Sequence, residues 1–187
     1  MPTSHTRNRA EILPPRVIVV MGVSCCGKST TGRYLSRMMG WPFRDADTFH
    51  PAANIEKMSR GEPLTDDDRW PWLAAIAAWI DAHRSAGSSA IVTCSALRRA
   101  YRDVLIGERA DVGLVYLRGS FALLSGRIGR RKNHFMPPAL LKSQFATLEE
   151  PAADERALVV SVTRPPKVVA RTIIEAFALT PRRHTVL

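Results

Sequence analysis

Five short apolar runs recur along the chain, at residues 17–21, 41–44, 90–94, 112–117 and 158–162. Val17-Ile18-Val19-Val20-Met21 and Ala90-Ile91-Val92-Thr93-Cys94 are nearly continuous rather than alternating, the pattern of strands buried on both faces. Helical segments lie between the runs. Residues 29–39 contain no proline and stop at Gly40, as a helix ending on a C-terminal glycine does. Thr65 or Asp66 caps a long helix whose acidic first turn suits the helix dipole. Along it Trp72, Ile76, Trp79, Ile80 and His83 recur at helical spacing, so this face packs on the sheet and Trp70 to Trp79 belong to the core. Shorter helices are expected at 54–58, from 95–99 to about Gly107, from Phe121 to about Arg130, after Pro138 to about Thr147, and at 167–178.

Strands alternating with helices imply right-handed crossovers. The expected fold class is α/β: three layers, a mostly parallel five-stranded sheet with helices on both faces. Residues 1–15 are polar, end in Pro14-Pro15 and read as a loose tail. Residues 16–180 form one domain, and 181–187 form a second tail. In such sheets ligands bind beyond the carboxyl ends of the strands. The loop after Met21, the pair Asp45 and Asp47, the segment Ser95 to Arg98 and the stretch after Leu117 all lie there, so they are expected to converge on one site.

The loop after the first strand carries the strongest chemical signal. Gly22-Val23-Ser24-Cys25-Cys26-Gly27-Lys28-Ser29, followed by Thr30, fits the pattern G-x-x-x-x-G-K-[ST] between a strand and a helix. A chance match arises in on the order of one shuffled chain in several hundred. The glycines let consecutive peptide N–H groups turn inward onto phosphate oxygens, and the helix N-terminus adds unpaired donors. Lys28 is placed to reach β- and γ-phosphates, and Ser29 to put its hydroxyl on Mg²⁺.

Phosphoryl transfer also needs cations, a metal-binding carboxylate and an oriented acceptor. If the second strand runs through Asp45 and Asp47, their side chains point to opposite sides, one toward the metal and one toward an acceptor hydroxyl; the plainer alternative is a turn or cap in which Asp bonds the backbone. Arg127, Arg130 and Arg131 lie within about one helical turn and suit a cover, at about 127–147, that brings guanidinium groups over the transferring phosphoryl. The plainer alternative is a solvated helix face. Arg69, Arg98 and Arg102 are candidates to clamp a substrate carboxylate, with ordinary surface charge as the alternative.

Composition narrows the class further. The 187 residues carry a net charge of +10, spread along the chain rather than gathered in one basic run. Small anionic ligands account for that at least as well as a nucleic acid does. No apolar stretch is long enough to cross a bilayer, and a hydrophobic signal core is absent, so the expected location is the cytoplasm. Cys25, Cys26 and Cys94 have neither metal nor redox spacing, and their odd count argues against a disulfide framework.

Beyond the loop, a series of segments in unbroken order from about Val17 to Ala178 resembles the bacterial gluconate kinases. They include Asp45-Ala46-Asp47-Thr48-Phe49-His50-Pro51, Asn54-Ile55-Glu56-Lys57-Met58, Gly61-Glu62-Pro63-Leu64-Thr65-Asp66-Asp67-Asp68-Arg69, Cys94-Ser95-Ala96-Leu97-Arg98, Tyr101-Arg102-Asp103, His134-Phe135 and Gln144-Phe145-Ala146-Thr147-Leu148-Glu149-Glu150-Pro151. The resemblance implies transfer of the ATP γ-phosphoryl to the 6-hydroxyl of D-gluconate, with Mg²⁺, on a nucleoside-monophosphate-kinase-like fold with a lid, commonly as a homodimer. It implies catalytic roles for Lys28, Asp47, Arg127 and Arg131, and metal binding by Ser29 and Asp45. It assigns the acceptor to Asp47, His50, Lys57, Arg69, Ser95, Arg98, Arg102 and His134. The family usually has glycine where this chain has Cys25. A Cβ there is expected to crowd the phosphates or force the loop away from positive φ. A helix N-terminus and Lys28 are expected to lower the pKa of Cys25 or Cys26, the alternative being two small inert residues that fill loop positions.

Other readings remain open at this level. Shikimate or a nucleoside monophosphate would also suit arginines. A nucleotide switch working with nucleic acid would suit the charge, although the guanine-reading N-K-x-D segment is missing. A phosphate-binding module without activity is the third.

Overall fold

The computed structural model describes residues 14–129 and 138–182. In chain order these form β1 (Val17–Met21), α1 (Lys28–Met39), β2 (Phe43–Asp45), α2 (Ala52–Ser59), α3 (Asp66–Ser85), β3 (Ala90–Thr93), α4 (Arg99–Leu105), β4 (Val112–Arg118), α5 (Phe121–Gly129), α6 (Pro138–Thr147), β5 (Leu158–Ser161) and α7 (Pro166–Ala176). Single 3₁₀ turns at Ala46–Phe49 and Ala153–Glu155 complete the order.

The strands make one sheet in the order β2-β3-β1-β4-β5. All four pairings are parallel, with Val17 opposite Ala90 on one side of β1 and Val112 on the other. The strand in the middle is thus the one that runs into the glycine-rich loop. Its side chains divide by alternation: Ile18 and Val20 join a core with α1, α5, α6 and α7, whereas Val17, Val19 and Met21 join a core with α3 and α4. All five are fully buried. At about 1.5–3 kcal/mol for each large apolar side chain removed from water, burial on two faces is what fixes β1 in place. The expected α/β three-layer architecture is what the structure shows.

Two boundaries differ from the sequence expectation for backbone reasons. The second strand begins at Phe43 because Pro42 has no N–H to give, although its carbonyl accepts from Ile91 at 2.9 Å. The helix expected from 95–99 begins only at Arg99, since Ala96 takes φ 43 and a left-handed residue interrupts a right-handed helix. Helix α3 starts as expected, and Thr65 is its cap: the hydroxyl accepts from Asp68 N while Asp68 reaches back to Thr65 N. Gly32 lets α1 lie close on the sheet, since a Cβ there would stand 2.5 Å from the Phe43 ring.

Chain ends expected to be loose are partly tied down. Pro15 is buried against Gly113 and Phe177, and Arg182 N bonds to Met38 O at 3.0 Å. Helix α6 puts Leu141 fully into the core. Residues 130–137, the middle of the expected cover, lie outside the described residues. Among the described residues no helix is long and apolar enough to cross a membrane.

One ion pair lies deep between α4 and the turn before β5. Arg102 bonds both Glu155 oxygens, the Nη2–Oε1 distance being 2.8 Å, with side-chain exposures of 2% and 8%. Its Nη1 also donates to the carbonyls of Ala96, Leu97 and Glu149. Arg102→Met strands a buried carboxylate and is expected to lower the unfolding free energy by about 3–5 kcal/mol, measured by urea denaturation. A change below about 1 kcal/mol would show the pair to be dispensable.

Candidate active site

Loop 22–27 leaves the buried end of β1 and delivers Lys28 as the first residue of α1. Gly27 takes φ 98, which an L side chain rarely adopts. The Lys28 ammonium folds back and donates to Gly22 O at 2.9 Å and Val23 O at 3.0 Å. Gly22 N bonds to Ser95 O at 3.4 Å, which ties the loop to the end of β3. Cys25 sits at φ 64, so the loop keeps its positive φ despite the side chain, at a strain of about 1–2 kcal/mol. The expectation that a non-glycine residue would force the loop away from positive φ is therefore overturned.

The thiols divide. Cys26 is 2% exposed, and burial pushes its pKa up, against the pull of Lys28. The expected lowering does not hold at Cys26, because desolvation outweighs the nearby ammonium. Cys94 is likewise buried and pushed up to about 12. Cys25 is half-buried and lines a cavity of about 360 Å³ together with Gly27, Thr30, Arg127, Arg164 and Pro166. Arg127 leaves α5 across this space and donates to Val162 O. It thereby walls a pocket on the helix side of the loop. Arg131 and His134 lie outside the described residues.

Ser29 Oγ donates to Asp45 Oδ2 at 2.5 Å, so the hydroxyl and carboxylate expected to share a metal are adjacent. The alternation expected of Asp45 and Asp47 is not observed. Asp45 ends β2 and its Oδ1 accepts from Asp47 N at 3.3 Å, capping a 3₁₀ turn that contains Asp47. An aspartate readily takes up such a local bond, which stops the strand. Asp47 is exposed beside the loop end of the sheet.

The next group gathers on α3 and the start of α4. Asp66 accepts from Tyr101 Oη at 2.6 Å, from Arg98 Nη1 at 2.6 Å and from Arg69 Nη1 at 3.3 Å. The Tyr101 hydroxyl, then the two guanidinium groups, hold its carboxyl below the usual range. Each guanidinium has five N–H donors, so Arg69 and Arg98, both partly exposed, keep donors for an incoming carboxylate. Arg102 does not belong with them: it is 1% exposed and spent on Glu155 and three carbonyls, which corrects its place in the expected clamp. Lys57 is engaged by both oxygens of Asp68, at 2.9 and 2.8 Å, and this bond leads the causes that hold Asp68 at about 2. His50 stacks on Trp72 with ring centroids 4.5 Å apart. Ser95 contributes its carbonyl to Gly22, as above.

Three residues that the motifs contained without a role acquire one here. Asp66 organises the arginines, Tyr101 orients Asp66, and Gln144 Oε1 accepts from Ser24 N at 2.6 Å across 120 positions. Composition and spacing carry no signal for such pairings.

Burial lowers the His50 pKa from 6.5, with Asp47 opposing. The unfolded chain therefore takes up the proton more readily, so this contribution to stability is complete above pH 6.5 and is lost as the pH falls below it. NMR titration is expected to give His50 a midpoint below 6.5; a midpoint at or above it would contradict the burial argument. Thiol labelling read by mass spectrometry is expected to modify Cys25 before Cys26 and Cys94, with ATP slowing the reaction. Equal rates with and without ATP would place Cys25 away from the nucleotide.

Comparison with known proteins agrees with this geometry. A family model described as shikimate kinase matches residues 24–177. A gluconokinase of Gluconobacter oxydans (strain 621H) is 47% identical over 165 residues, covering 88% of this chain and 93% of its own. The crystal structure of a gluconokinase from Sinorhizobium meliloti 1021 superposes with a TM-score of 0.79 at 43% identity, covering 89% of this chain and 93% of that one. That of a sugar kinase from Janibacter sp. HTCC2649 reaches 0.81 at 45% identity, covering 90% and 97%. A shikimate kinase from Aquifex aeolicus reaches 0.52 at 18% identity, a likeness of fold alone. The narrower and closer likeness decides the matter: the chain belongs to the gluconokinase family of phosphate-loop kinases.

Proposed function

We propose that this protein transfers the γ-phosphoryl of ATP to the 6-hydroxyl of D-gluconate, giving 6-phospho-D-gluconate. The observation that carries the reading is the Lys28 ammonium, held by two loop carbonyls on the loop whose following helix places Ser29 against Asp45. The gluconate in the relatives' names supplies the acceptor, and the partly exposed Arg69 and Arg98 supply a place for its carboxylate.

In this reading the loop amides of residues 25–28 bind the phosphates, and Lys28 bridges the β- and γ-groups. The cavity beside Arg127 takes the base and ribose. Ser29 and Asp45 are hard oxygen donors side by side, and they fit Mg²⁺. When bound, Mg²⁺ neutralises charge on the phosphate oxygens. Asp47 orients the acceptor hydroxyl and takes its proton late, since the transition state is largely dissociative. The reading gives Arg131 a catalytic role and His134 a role in binding the acceptor. The reading places the protein in the cytoplasm, as a homodimer.

The family model's description favours one second reading, shikimate as the acceptor. A coupled assay of ADP release with gluconate, shikimate, glucuronate and nucleoside monophosphates is expected to show turnover with gluconate alone. Turnover with shikimate and not gluconate would overturn the assignment. Lys28→Ala is expected to lower kcat at least 10²–10³-fold, on the scale of losing one preorganised charge-stabilising group. Asp47→Asn is expected to lower kcat while ATP affinity holds; equal damage to both would move Asp47 to the metal.

A further inference from the structure

The Val23–Ser24 peptide group is gripped from both sides. Its carbonyl accepts from Lys28 Nζ at 3.0 Å, and its N–H donates to Gln144 Oε1 at 2.6 Å. The structure's described residues contain no cis peptide bond, and in a trans peptide the C=O and N–H point in opposite directions. Gln144 and Lys28 therefore lie off opposite edges of one peptide group, and each limits its rotation.

We infer that Gln144 is a positioning residue for phosphoryl transfer, acting through the Val23–Ser24 peptide on the ammonium of Lys28. The inference rests on the kinase reading above. Without the bond to Gln144, the peptide is held only at its carbonyl, by Lys28 and by a long 3.4 Å bond from Cys26 N, and rotation would carry Val23 O away from Lys28 and leave the ammonium one anchor, Gly22 O. An ammonium on a flexible four-carbon stem is poorly fixed by one bond, and preorganisation is what gives such a charge its effect in the transition state.

The mounting of Gln144 suits the task. Leu141, one turn earlier on α6, is fully buried. Phe145, the next residue, meets Phe121 of α5 edge-on at 5.5 Å. Helix α6 is thus anchored to the core through Leu141, and the partly buried amide it carries reaches the loop from there. An acceptor is needed here and an amide provides it uncharged, beside a loop that must receive a polyanion.

The test compares the full-length protein with Gln144→Met, which keeps length and apolar packing but removes the acceptor, and Gln144→Glu, which keeps an acceptor. At saturating ATP and gluconate, Gln144→Met is expected to lose about fivefold to tenfold in kcat, the size of one net hydrogen bond. Its melting temperature is expected to stay within about 3 °C of wild type. Gln144→Glu is expected to recover kcat to within about threefold of wild type at saturating ATP, its added charge being read instead as a raised KM for ATP. Wild-type kcat in Gln144→Met, or equal impairment of both variants, would overturn the inference. Release of a fluorescent ATP analogue, followed by stopped flow, gives a readout free of the acceptor: it is expected to quicken in Gln144→Met, and unchanged release would also overturn the role. If the wild type binds the analogue but does not phosphorylate gluconate, the acceptor assignment fails while this comparison still decides the role of Gln144.

Discussion

A loop that turns its peptide N–H groups toward a phosphate must do something with its carbonyls, and it must hold a shape that several of its residues would not choose. In this protein one ammonium answers both needs. Lys28 satisfies Gly22 O and Val23 O, and it does so from the first turn of a helix whose other end is packed by Leu35 and Met39. The strain of Cys25 at φ 64 is tolerable because the loop's form is set by these bonds and by the buried strand behind it, not by the preference of that residue. The rest of the site is placed relative to this loop, through Ser29 on Asp45 and Gly22 on Ser95.

The net charge of +10 takes on a different character once the partners are known. Several arginines are committed to structure. Arg84 and Arg109 converge on Asp81, Arg99 pairs with Asp154, and Arg102 is buried with Glu155. The pairs at the surface contribute little each, whereas the buried one fixes the approach of α4 to the turn before β5. In the proposed reading, the set that faces a ligand among the described residues is smaller: Lys28, Arg127 beside the cavity, and Arg69 with Arg98 around Asp66. A basic composition is therefore no guide to which guanidinium meets a substrate.

Much of the architecture was legible because strands covered on two faces must be largely apolar, and the inner strands β1, β3 and β4 are. The phosphate loop was legible because its chemistry is main-chain chemistry, written in a few adjacent positions. Where the reading failed, the deciding contact was distant or the decision belonged to the backbone. Arg98 and Arg102 stand four positions apart and look alike in sequence. One is a partly exposed cap residue and the other a buried strut, because Glu155, 53 positions away, pairs with Arg102. Asp47 was expected in an extended segment, but the carboxylate of Asp45 captured its N–H and closed a turn. Ala96 at φ 43 delayed α4 for reasons no propensity records.

Helix α4 is only seven residues long, and its N-cap residue, Arg98, provides no side-chain cap. The bond is supplied instead by Glu149, whose carboxylate accepts from Arg99 N at 2.6 Å. The backbone that carries the guanidinium of Arg98 is therefore secured by a residue far along the chain, five positions after the one that touches the phosphate loop. Selection for a new acceptor in this scaffold has two kinds of place to act. It can alter the groups that greet the molecule, or it can loosen the distant staple and let the same groups greet something else.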